Sequence, residues 1–438
     1  MTKILNLSLC LLLMLHLWLV TGYELSHDEA YYWLFSNNLD WGYFDHPPLV
    51  AVLIRLFSFL PHSEFAVRAG FLILHIATCF LVMDLLPKRR NWLAIVLFFS
   101  FPLASFAGLF ALPDLPLLFT ATLYCVLLKR FLEKTNFFNS VTLGLAIALM
   151  LYAKYHGILL VFFTVISLPK LFKTKYFYLV AVVALICFFP HVWWQYIHDF
   201  ATLKYHFLER PKSDFSFMRL LEFLGTQIFL AGLFVGPIVW WSSLKNNAKD
   251  DFTHAMKFIC FGTIIFFLVS TITKKFEANW TIFLTTPLIY LSVSSYVWEK
   301  TSSQIILGIS CVIVILARFL LIMDPKTIKI SRLNEFHGWK KWTAEIEKLC
   351  SYPILANNYQ MASKMSFYLD RPVHALNYQS RKNQFDLWVP NSEYYHTERV
   401  CYVTDKKQFA GLTLQTPEGK NMRIVPDFSP TTVVYDSP

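Results

Sequence analysis

The sequence predicts an α-helical polytopic membrane protein with a small α/β domain at its carboxyl end. Hydrophobic residues make up 56% of its 438 residues and charged residues only 16%, whereas an ordinary soluble domain is about a quarter charged. Apolar runs of about 20 residues, the length that crosses a bilayer core of about 30 Å, recur as far as residue 323 and then give way to polar sequence. These observations place the chain up to residue 323 in a membrane.

About eleven apolar runs have roughly the length of a membrane span. The first run also has the length of a signal peptide, but we expect an uncleaved span because the alternation of loops described next requires it. The runs on either side of Lys154 are short for two separate spans. The runs lie near residues 4–22, 65–86, 91–111, 115–132, 137–153, 155–171, 176–194, 220–241, 252–272, 281–298 and 304–323.

Basic residues cluster in the short loops between these runs, at 88–90, 129–134, 170–175 and 245–249. If the amino terminus is cytoplasmic, all four clusters face the cytoplasm, as the positive-inside rule requires. The net charge of +10 therefore indicates loops beside anionic membrane lipid. No basic tract is interleaved with aromatic residues, so we expect no nucleic-acid partner.

The same alternation places the intervening segments and the tail on the extracytoplasmic side. We expect a membrane domain, 1–323, with a long outer loop at 23–64, and a soluble domain, 324–438, with a helix near 334–350 and strands near 400–404 and 431–435. The predicted location is the inner (cytoplasmic) membrane, with the active site on the periplasmic side. Cys350 and Cys401 lie in the tail, where an oxidising compartment would allow a disulfide between them.

The first outer loop contains the most informative segment, which runs from Ser26 to Pro48. An aspartate beside a membrane surface can act as general base on an acceptor hydroxyl, and Asp28 would lie in a first helical turn, where the helix dipole favours the carboxylate. Glu29 has two interpretations, because Ser26-x-x-Glu29 is also a capping box. Three tyrosines of this loop are candidates for the substrate pocket or for a belt of interfacial aromatic residues: Tyr31, Tyr32 and Tyr43.

The string HDEAYYWLFSNNLDWGYFDHPPL, residues 27–49, resembles the first outer loop of the GT-C superfold. It is most similar to glycosyltransferase family 39, which includes the protein O-mannosyltransferases, with the lipid A aminoarabinose transferases nearby. The strings PDLPLLF, AKYHG, HDFATLKYHFLER and KKFEANW continue the resemblance in the same order. The resemblance implies an inverting transferase that takes a sugar from a polyprenyl-phosphate carrier on the outer face and passes it to a lipid, glycan or protein acceptor.

The resemblance assigns roles to three acidic residues. Asp28 takes the place of the catalytic aspartate, and Glu29 is its acidic neighbour. Asp114 takes the second outer-loop acidic position, near the sugar, although it could equally be a turn residue between two prolines. His46 stands where the aminoarabinose transferases have a lysine, so it cannot bind donor phosphate through a permanent charge; histidine is the variant common in bacterial relatives of family 39.

Donor phosphate requires cations near the membrane surface. Arg210 is the first candidate, because guanidinium binds phosphate with two parallel hydrogen bonds; the alternative is a contact with lipid headgroups. Lys154 interrupts an apolar run, and a charge inside the membrane is a functional candidate by default, unless its side chain snorkels to the interface. The remaining candidate cations are Lys204, Lys274, Lys275 and His46. Glu277 and Trp280 are candidates for the substrate pocket, and Trp280 is alternatively an interfacial anchor.

A zinc ion is a further expectation from the resemblance, since a comparable histidine and first-loop glutamate are associated with zinc in the aminoarabinose transferases. Asp45 and His206, with His46 as a third candidate, could rebuild such a site, because carboxylate and imidazole both suit zinc. The chemistry does not require the metal, since polyprenyl phosphate is already a good leaving group. We therefore predict no required cofactor.

Two other classes compete with the transferase. A transporter or flippase of lipid-linked saccharides would keep ionisable residues near the midplane, often in inverted repeats. The sequence shows no repeat and concentrates its acidic motif residues in the outer loops. A receptor-like module would leave Asp28 and Asp114 without a role, so the transferase is the preferred hypothesis.

Overall fold

A computed structural model of the chain describes residue 11 and residues 14–205, 214–376, 381–388 and 399–429. The chain divides into two compact units. The helical unit comprises Met1–Leu17, His46–Val50 and Arg68–Arg318, and the mixed unit comprises Trp18–Asp45, Ala51–Val67 and Phe319–Pro438. Most of the predicted first outer loop is therefore grouped with the C-terminal segment in the mixed unit. The assignment of 1–323 and 324–438 to two functional domains stays a prediction.

Helices dominate the part of the chain that leads up to Arg318. Residues 14–20 are helical, and helix α2 (Leu49–Arg55) precedes the first long helix. The following helices are α3 (Glu64–Asp84), α4 (Asn91–Ser100), α5 (Pro102–Ala107), α6 (Asp114–Glu133), α7 (Phe137–Ala153), α8 (Ile158–Ser167), α9 (Lys175–Ile197), α10 (Ala201–Lys204), α11 (Phe217–Leu230), α12 (Gly236–Lys245), α13 (Asp251–Ser270), α14 (Thr285–Val293) and α15 (Thr301–Ala317).

Five helical segments in the described residues are long and apolar enough to cross a bilayer: α3, α6, α9, α13 and Thr301–Leu321. Two shorter apolar segments, Phe137–Ala153 and Tyr155–Ser167, flank Lys154. The predicted class, a helical multi-pass membrane protein, is confirmed. The finer count of about eleven spans stays a prediction.

Three predicted spans are each divided into two shorter segments. The run 91–111 breaks between α4 and α5, where Phe101 is extended and Pro102 begins the next helix, since proline supplies no amide hydrogen to a preceding helix. The run 220–241 breaks between α11 and α12 around Gly232, which has φ +121°, a conformation that favours glycine. The run 281–298 starts with a 3₁₀ segment, Ala278–Leu284, before α14. Apolar composition alone did not reveal these interruptions.

A buried arginine joins distant segments of the helical unit. Arg318 follows α15, is fully buried, and donates hydrogen bonds to His16 and Ser105. Its guanidinium also lies 5.2 Å from the ring centroid of Phe99. Burying a charge without hydrogen-bond partners is expensive, so the guanidinium must keep these contacts. They hold the ends of three sequence regions together.

The mixed unit begins with helix α1 (His27–Asn37) and continues after Arg318 with α16 (Pro325–Ile328), α17 (Trp339–Leu349), α18 (Tyr359–Leu369) and α19 (Gln384–Trp388). Its strands are β1 (Ile354–Ala356), β2 (His374–Ala375), β3 (Val400–Thr404), β4 (Leu412–Gln415) and β5 (Asn421–Phe428). They form one sheet in the order β2-β1-β3-β5-β4. The pairs of β1 with β2 and β3 are parallel, and those of β5 with β3 and β4 are antiparallel.

The sheet packs around a small apolar cluster that includes Leu355, Tyr402 and Phe428. This arrangement confirms the predicted mixed α/β character of the tail, and β3 coincides with the predicted strand at 400–404. The predicted helix at 334–350 begins later, at Trp339, because Gly338 has φ +84°. The predicted strand at 431–435 lies outside the described residues.

Cys350 and Cys401 form a disulfide, with 5.5 Å between their Cα atoms. The bond connects the end of α17 to strand β3, across a sequence separation of 51 residues. A disulfide stabilises a fold mainly by restricting the unfolded chain, and the effect grows with the length of the closed loop.

We expect Cys350→Ser/Cys401→Ser to lower the free energy of unfolding of the mixed unit by about 4 kcal/mol, the entropic effect of closing a loop of this length. Thermal unfolding of the purified protein in detergent, followed by limited proteolysis of the tail, measures this change. The matched control is Cys187→Ser, since Cys187 is a free cysteine of the helical unit. Equal stability of the two variants would contradict the prediction.

Candidate functional site

Helix α1 starts with the capping box that the sequence indicated. The Ser26 hydroxyl accepts a hydrogen bond from the Glu29 amide at 3.2 Å, and the Glu29 carboxylate accepts one from the Ser26 amide at 2.9 Å. Glu29 is fully buried. Its side chain therefore serves the helix terminus, as the cap interpretation proposed, while its catalytic role stays a prediction.

Asp28 is exposed, in contrast to its neighbour Glu29. It lies in the first turn of α1, where the four amide groups of a helix amino terminus favour a negative charge. Burial raises the pKa of the Tyr359 phenol to about 12, and the nearby Asp28 carboxylate acts in the same direction. The structure thus presents an accessible carboxylate on a helix whose terminus is held in place.

Asp45 is buried and belongs to a hydrogen-bonded network that reaches the surface at Arg381. Its carboxylate accepts a hydrogen bond from the Tyr31 hydroxyl at 2.9 Å and one from the Arg381 guanidinium at 2.7 Å. Arg381 also donates to the Tyr359 hydroxyl at 3.0 Å. Burial opposes the charge on Arg381, but Asp45 and Tyr359 outweigh burial and raise its pKa. The guanidinium therefore stays charged.

The two other candidate tyrosines of the loop are buried among aromatic rings. Tyr32 lies 5.6 Å from Phe35 between ring centroids. Tyr43 stacks on Phe35 at 4.1 Å and donates a hydrogen bond to the Phe35 carbonyl at 2.9 Å. These contacts fix the carboxyl end of α1, so Tyr43 shapes the loop. The pocket roles of Tyr31, Tyr32 and Tyr43 stay predictions.

The first residue of α1 is attached to the C-terminal segment. The His27 amide donates a hydrogen bond to the Glu335 carboxylate at 2.8 Å, and the His27 imidazole lies 2.7 Å from Glu418 Oε1. The Leu25 amide donates to the Tyr368 hydroxyl at 2.8 Å. Sequence reasoning missed all of these partners, as well as Arg381 and Tyr359, because no local motif marks them.

A cavity of about 940 Å³ lies elsewhere in the mixed unit. Trp33, Leu34 and Asn37 of α1 line it. Successive residues of an α-helix are about 100° apart around its axis. These three positions therefore lie on the side of α1 away from Asp28, and the cavity is separate from the Asp28 carboxylate.

A second polar cluster lies in the helical unit. Asp114 begins α6, and Lys154 follows the last residue of α7. Lys154 Nζ lies 2.9 Å from Asp114 Oδ1, and the Asn279 amide donates to Asp114 Oδ2 at 3.1 Å. Asp114 and Lys154 are 8% and 5% exposed, so the lysine is buried in an ion pair and does not extend into solvent. The pair brings together two residues that the sequence proposed for separate roles.

Next along the chain, Tyr155 belongs to another buried network. Its hydroxyl lies 2.6 Å from His191 Nε2 and accepts a hydrogen bond from the Gln195 amide at 2.9 Å. Gln195 also donates to the Thr202 hydroxyl at 2.7 Å. These bonds order the chain that follows α9. The sequence did not predict this network.

The remaining candidates are more dispersed. Lys275 and Glu277 are exposed, while Lys274 and His46 are half-buried. Trp280 packs 5.1 Å from His156 and 5.7 Å from Phe267 between ring centroids. Lys204 pairs with Asp199 at 2.5 Å. Arg210 and His206 lie outside the described residues.

The metal prediction is not tested, because His206 is not among the described residues. Within the described ranges, no group of three histidine, cysteine or acidic side chains has the arrangement of a metal site. The Asp45 carboxylate accepts hydrogen bonds from Tyr31 and Arg381, which would compete with zinc for its oxygens. We therefore assign no chemical step to a metal.

The apolar helices and the mixed C-terminal sheet define a helical membrane protein with the fold of the solved ArnT structures described below. Residues 45–194 match the family model for dolichyl-phosphate-mannose-protein mannosyltransferase, which confirms the resemblance to family 39. The matched region contains Asp45, Asp114 and Lys154 but begins after Asp28.

Two solved structures have the same fold over nearly the whole chain. The apo structure of ArnT from Cupriavidus metallidurans matches with a TM-score of 0.70 at 12% identity, covering 97% of each chain. The structure of the same protein bound to undecaprenyl phosphate matches with a TM-score of 0.71 at 11% identity, covering 97% of this chain and 98% of that one. At such low identity the likeness shows the fold alone.

A curated relative is the lipid A galacturonosyltransferase RgtD from Rhizobium johnstonii (strain DSM 114642 / LMG 32736 / 3841). It is 23% identical over an alignment of 275 positions, and the alignment covers 58% of this chain. The chain covers 57% of that relative's length.

Breaking the buried ion pair should be costly. We expect Asp114→Asn to lower the free energy of unfolding by about 3–5 kcal/mol, because it leaves the Lys154 ammonium buried without its counter-charge. The matched control is Asp84→Asn, which breaks the exposed pair of Asp84 with Arg130 and should cost about 0–1 kcal/mol. Thermal unfolding in detergent compares the two variants, and equal losses would contradict the assignment.

The contact of His27 with Glu418 should make stability depend on pH. The hydrogen bond from His27 lowers the pKa of Glu418 from 4.5 to about 2, against the opposing effect of burial. A carboxyl group with a depressed folded-state pKa stabilises the fold above its unfolded pKa, and this contribution is lost as the pH falls through the folded pKa.

Wild type should therefore be more stable than Glu418→Gln above pH 4.5, and the difference should shrink between pH 4.5 and about 2. Melting temperatures of both proteins over this range measure the effect. Glu345→Gln serves as the control, and the same pH-dependent difference there would refute the role of Glu418.

Proposed function

We propose that this chain is an integral-membrane inverting glycosyltransferase. It moves a sugar from a polyprenyl-phosphate carrier to an acceptor on the extracytoplasmic face, and the chain crosses the membrane about eleven times. The observation that carries the proposal is the exposed carboxylate of Asp28 on the capped and anchored terminus of α1.

The donor class is supported by two findings. A structure with the same fold holds undecaprenyl phosphate. The description of the matched family model names dolichyl-phosphate-mannose, a sugar on a polyprenyl-phosphate carrier. The proposed phosphate-binding residues of this chain are Lys154, Arg210, Lys274, Lys275 and His46. Asp114 already neutralises much of the positive charge of Lys154. We therefore propose that this ion pair orients the sugar, beside the phosphate that the other cations bind.

A lipid A-like acceptor is supported by the name of the relative RgtD. Among the lipid, glycan and protein acceptors that the sequence leaves open, we therefore propose a lipid that carries sugar hydroxyl or phosphate groups. We propose that Tyr31, Tyr32 and Tyr43 of the mixed unit contact substrate. We make the same proposal separately for Glu277 and Trp280 of the helical unit.

In the proposed reaction, an acceptor hydroxyl attacks the anomeric carbon from the face opposite the carrier phosphate. The new carbon–oxygen bond forms as the bond to the phosphate oxygen breaks, so the configuration inverts and polyprenyl phosphate leaves with the bonding electron pair. Asp28 receives the hydroxyl proton as general base. If the acceptor is a phosphate group, no base is needed, and Asp28 orients the sugar. No step requires a cofactor.

The extracytoplasmic placement is supported by the Cys350–Cys401 disulfide. Disulfides persist in oxidising compartments and are rare in the cytosol. Asp28 and both cysteines belong to the mixed unit, so we propose that this unit lies on the periplasmic side of the inner membrane. Labelling of an introduced cysteine at position 28 only from the cytosol would overturn this placement.

We expect Asp28→Asn to reduce transfer by about 10²–10⁴-fold, because it removes the base while keeping the side-chain shape. The purified protein is incubated with radiolabelled polyprenyl-phosphate sugars and a panel of lipid A, glycan and peptide acceptors. Asp40→Asn, an exposed acid of the same loop, is the matched control and should transfer normally.

Full transfer by Asp28→Asn would overturn the role of Asp28. If wild type transferred no sugar from any carrier, the alternative of a transporter or flippase for lipid-linked saccharides would be favoured. Flipping of a fluorescent carrier analogue in proteoliposomes would then test that alternative directly.

A further inference from the structure

Four carboxylates of the mixed unit lie at the starts of two helices, α1 and α17. Glu335 and Glu418 contact His27, and Glu29 closes the capping box. Glu24 accepts hydrogen bonds from two backbone amides at the start of α17, at 2.6 Å and 3.1 Å. Such a concentration of like charge is unstable without a cation nearby.

Lys364 supplies this cation from the middle of α18. It is fully buried, donates a hydrogen bond to the Glu335 carbonyl, and lies 4.3 Å from the ring centroid of Trp339. Lysine is almost never fully buried unless it is paired. The groups around this ammonium must therefore offset the free-energy cost of burying it.

Electrostatics connects the lysine with the acids of this cluster. Burial lowers the pKa of Lys364 to about 7, and the carboxylates of Glu335, Glu24, Glu418 and Glu29 act in the opposite direction. The carboxylates at the beginnings of α1 and α17 therefore favour the charged form of Lys364 against the effect of burial. Lys420 is a second cation beside Glu418, at 3.2 Å, but it is exposed to solvent.

We infer that Lys364 is a positioning residue for the site. Its side chain holds the backbone of Glu335, whose carboxylate caps the His27 amide. Through this first turn of α1 it sets the place of the exposed Asp28. The inference rests on the proposed function, because it assigns a purpose to the geometry of Asp28.

The geometry distinguishes this role from ordinary packing. Glu335 contributes twice, since its carbonyl accepts from Lys364 and its carboxylate accepts from the His27 amide. The chain of contacts from Lys364 through Glu335 to His27 therefore ends one residue before Asp28. A lysine that only filled space would have no such connection to the helix terminus.

The first experiment replaces Lys364→Met, which keeps the length of the side chain and removes its charge. We expect faster hydrogen exchange of the amides of residues 26–29 and a fall in kcat of about 10- to 100-fold with little change in KM, because a small displacement of a catalytic group can cost this much. Lys348→Met, an exposed lysine of α17, is the matched control. Unchanged exchange and kcat in Lys364→Met would overturn the inference.

The second experiment tests charge directly. In Lys364→Met/Glu335→Gln, one acid is neutralised while an oxygen remains to accept the His27 amide. We expect slower exchange at residues 26–29 and a higher kcat than in Lys364→Met. A packing role for Lys364 predicts no such recovery, so a double variant no better than Lys364→Met would refute the positioning role.

A third variant is needed in case Lys364→Met does not fold. Glu335→Ala leaves Lys364 in place but removes the acceptor for the His27 amide, and it should reproduce the loss of kcat and the faster exchange. Wild-type exchange and kcat in Glu335→Ala would contradict the inference. Because hydrogen exchange needs no substrate, it still tests the cluster if wild type proves inactive, which would refute only the proposed transferase function.

Discussion

The amino terminus of α1 is the constraint on which the site depends. A helix begins with four amide groups that lack partners within the helix, and here the Ser26 side chain serves Glu29 while the Glu335 carboxylate serves His27. The second of these contacts spans 308 residues of sequence. An accessible acid can be held precisely only when its helix cannot fray, and the C-terminal segment supplies that restraint. The tail is therefore part of the scaffold of the site.

The helical unit also holds charged groups at the ends of its helices, in this case as a buried ion pair. Asp114 and Lys154 are buried at the ends of two apolar helices, where each ion alone would be far more costly than the pair. Asn279 occupies the other carboxylate oxygen. A charge pair retained inside an apolar unit is weak evidence for stability and better evidence for a chemical purpose.

Local patterns in the sequence were sufficient to predict the membrane class, the capping box at Ser26, the mixed character of the tail and the acidic loop containing Asp28. They were insufficient for Arg381, Glu335 and Glu418, because the fold brings the partner of each from hundreds of residues away. They were also insufficient for Lys364, whose contact with the Glu335 carbonyl spans 29 residues without a local motif. The broken spans show a different limit. Pro102 is visible in the sequence, but the apolar run continues across it, and hydropathy does not register the missing amide hydrogen.

The disulfide has a consequence for biogenesis. Cys350 directly follows α17, and Cys401 lies in β3, the strand that pairs with both β1 and β5. The covalent link can form only after the ribosome has released the whole intervening stretch, including β1 and β2. A chain truncated within that stretch would keep Cys350 as an unpaired thiol, so closing the bond requires the strand β3 that completes the centre of the sheet.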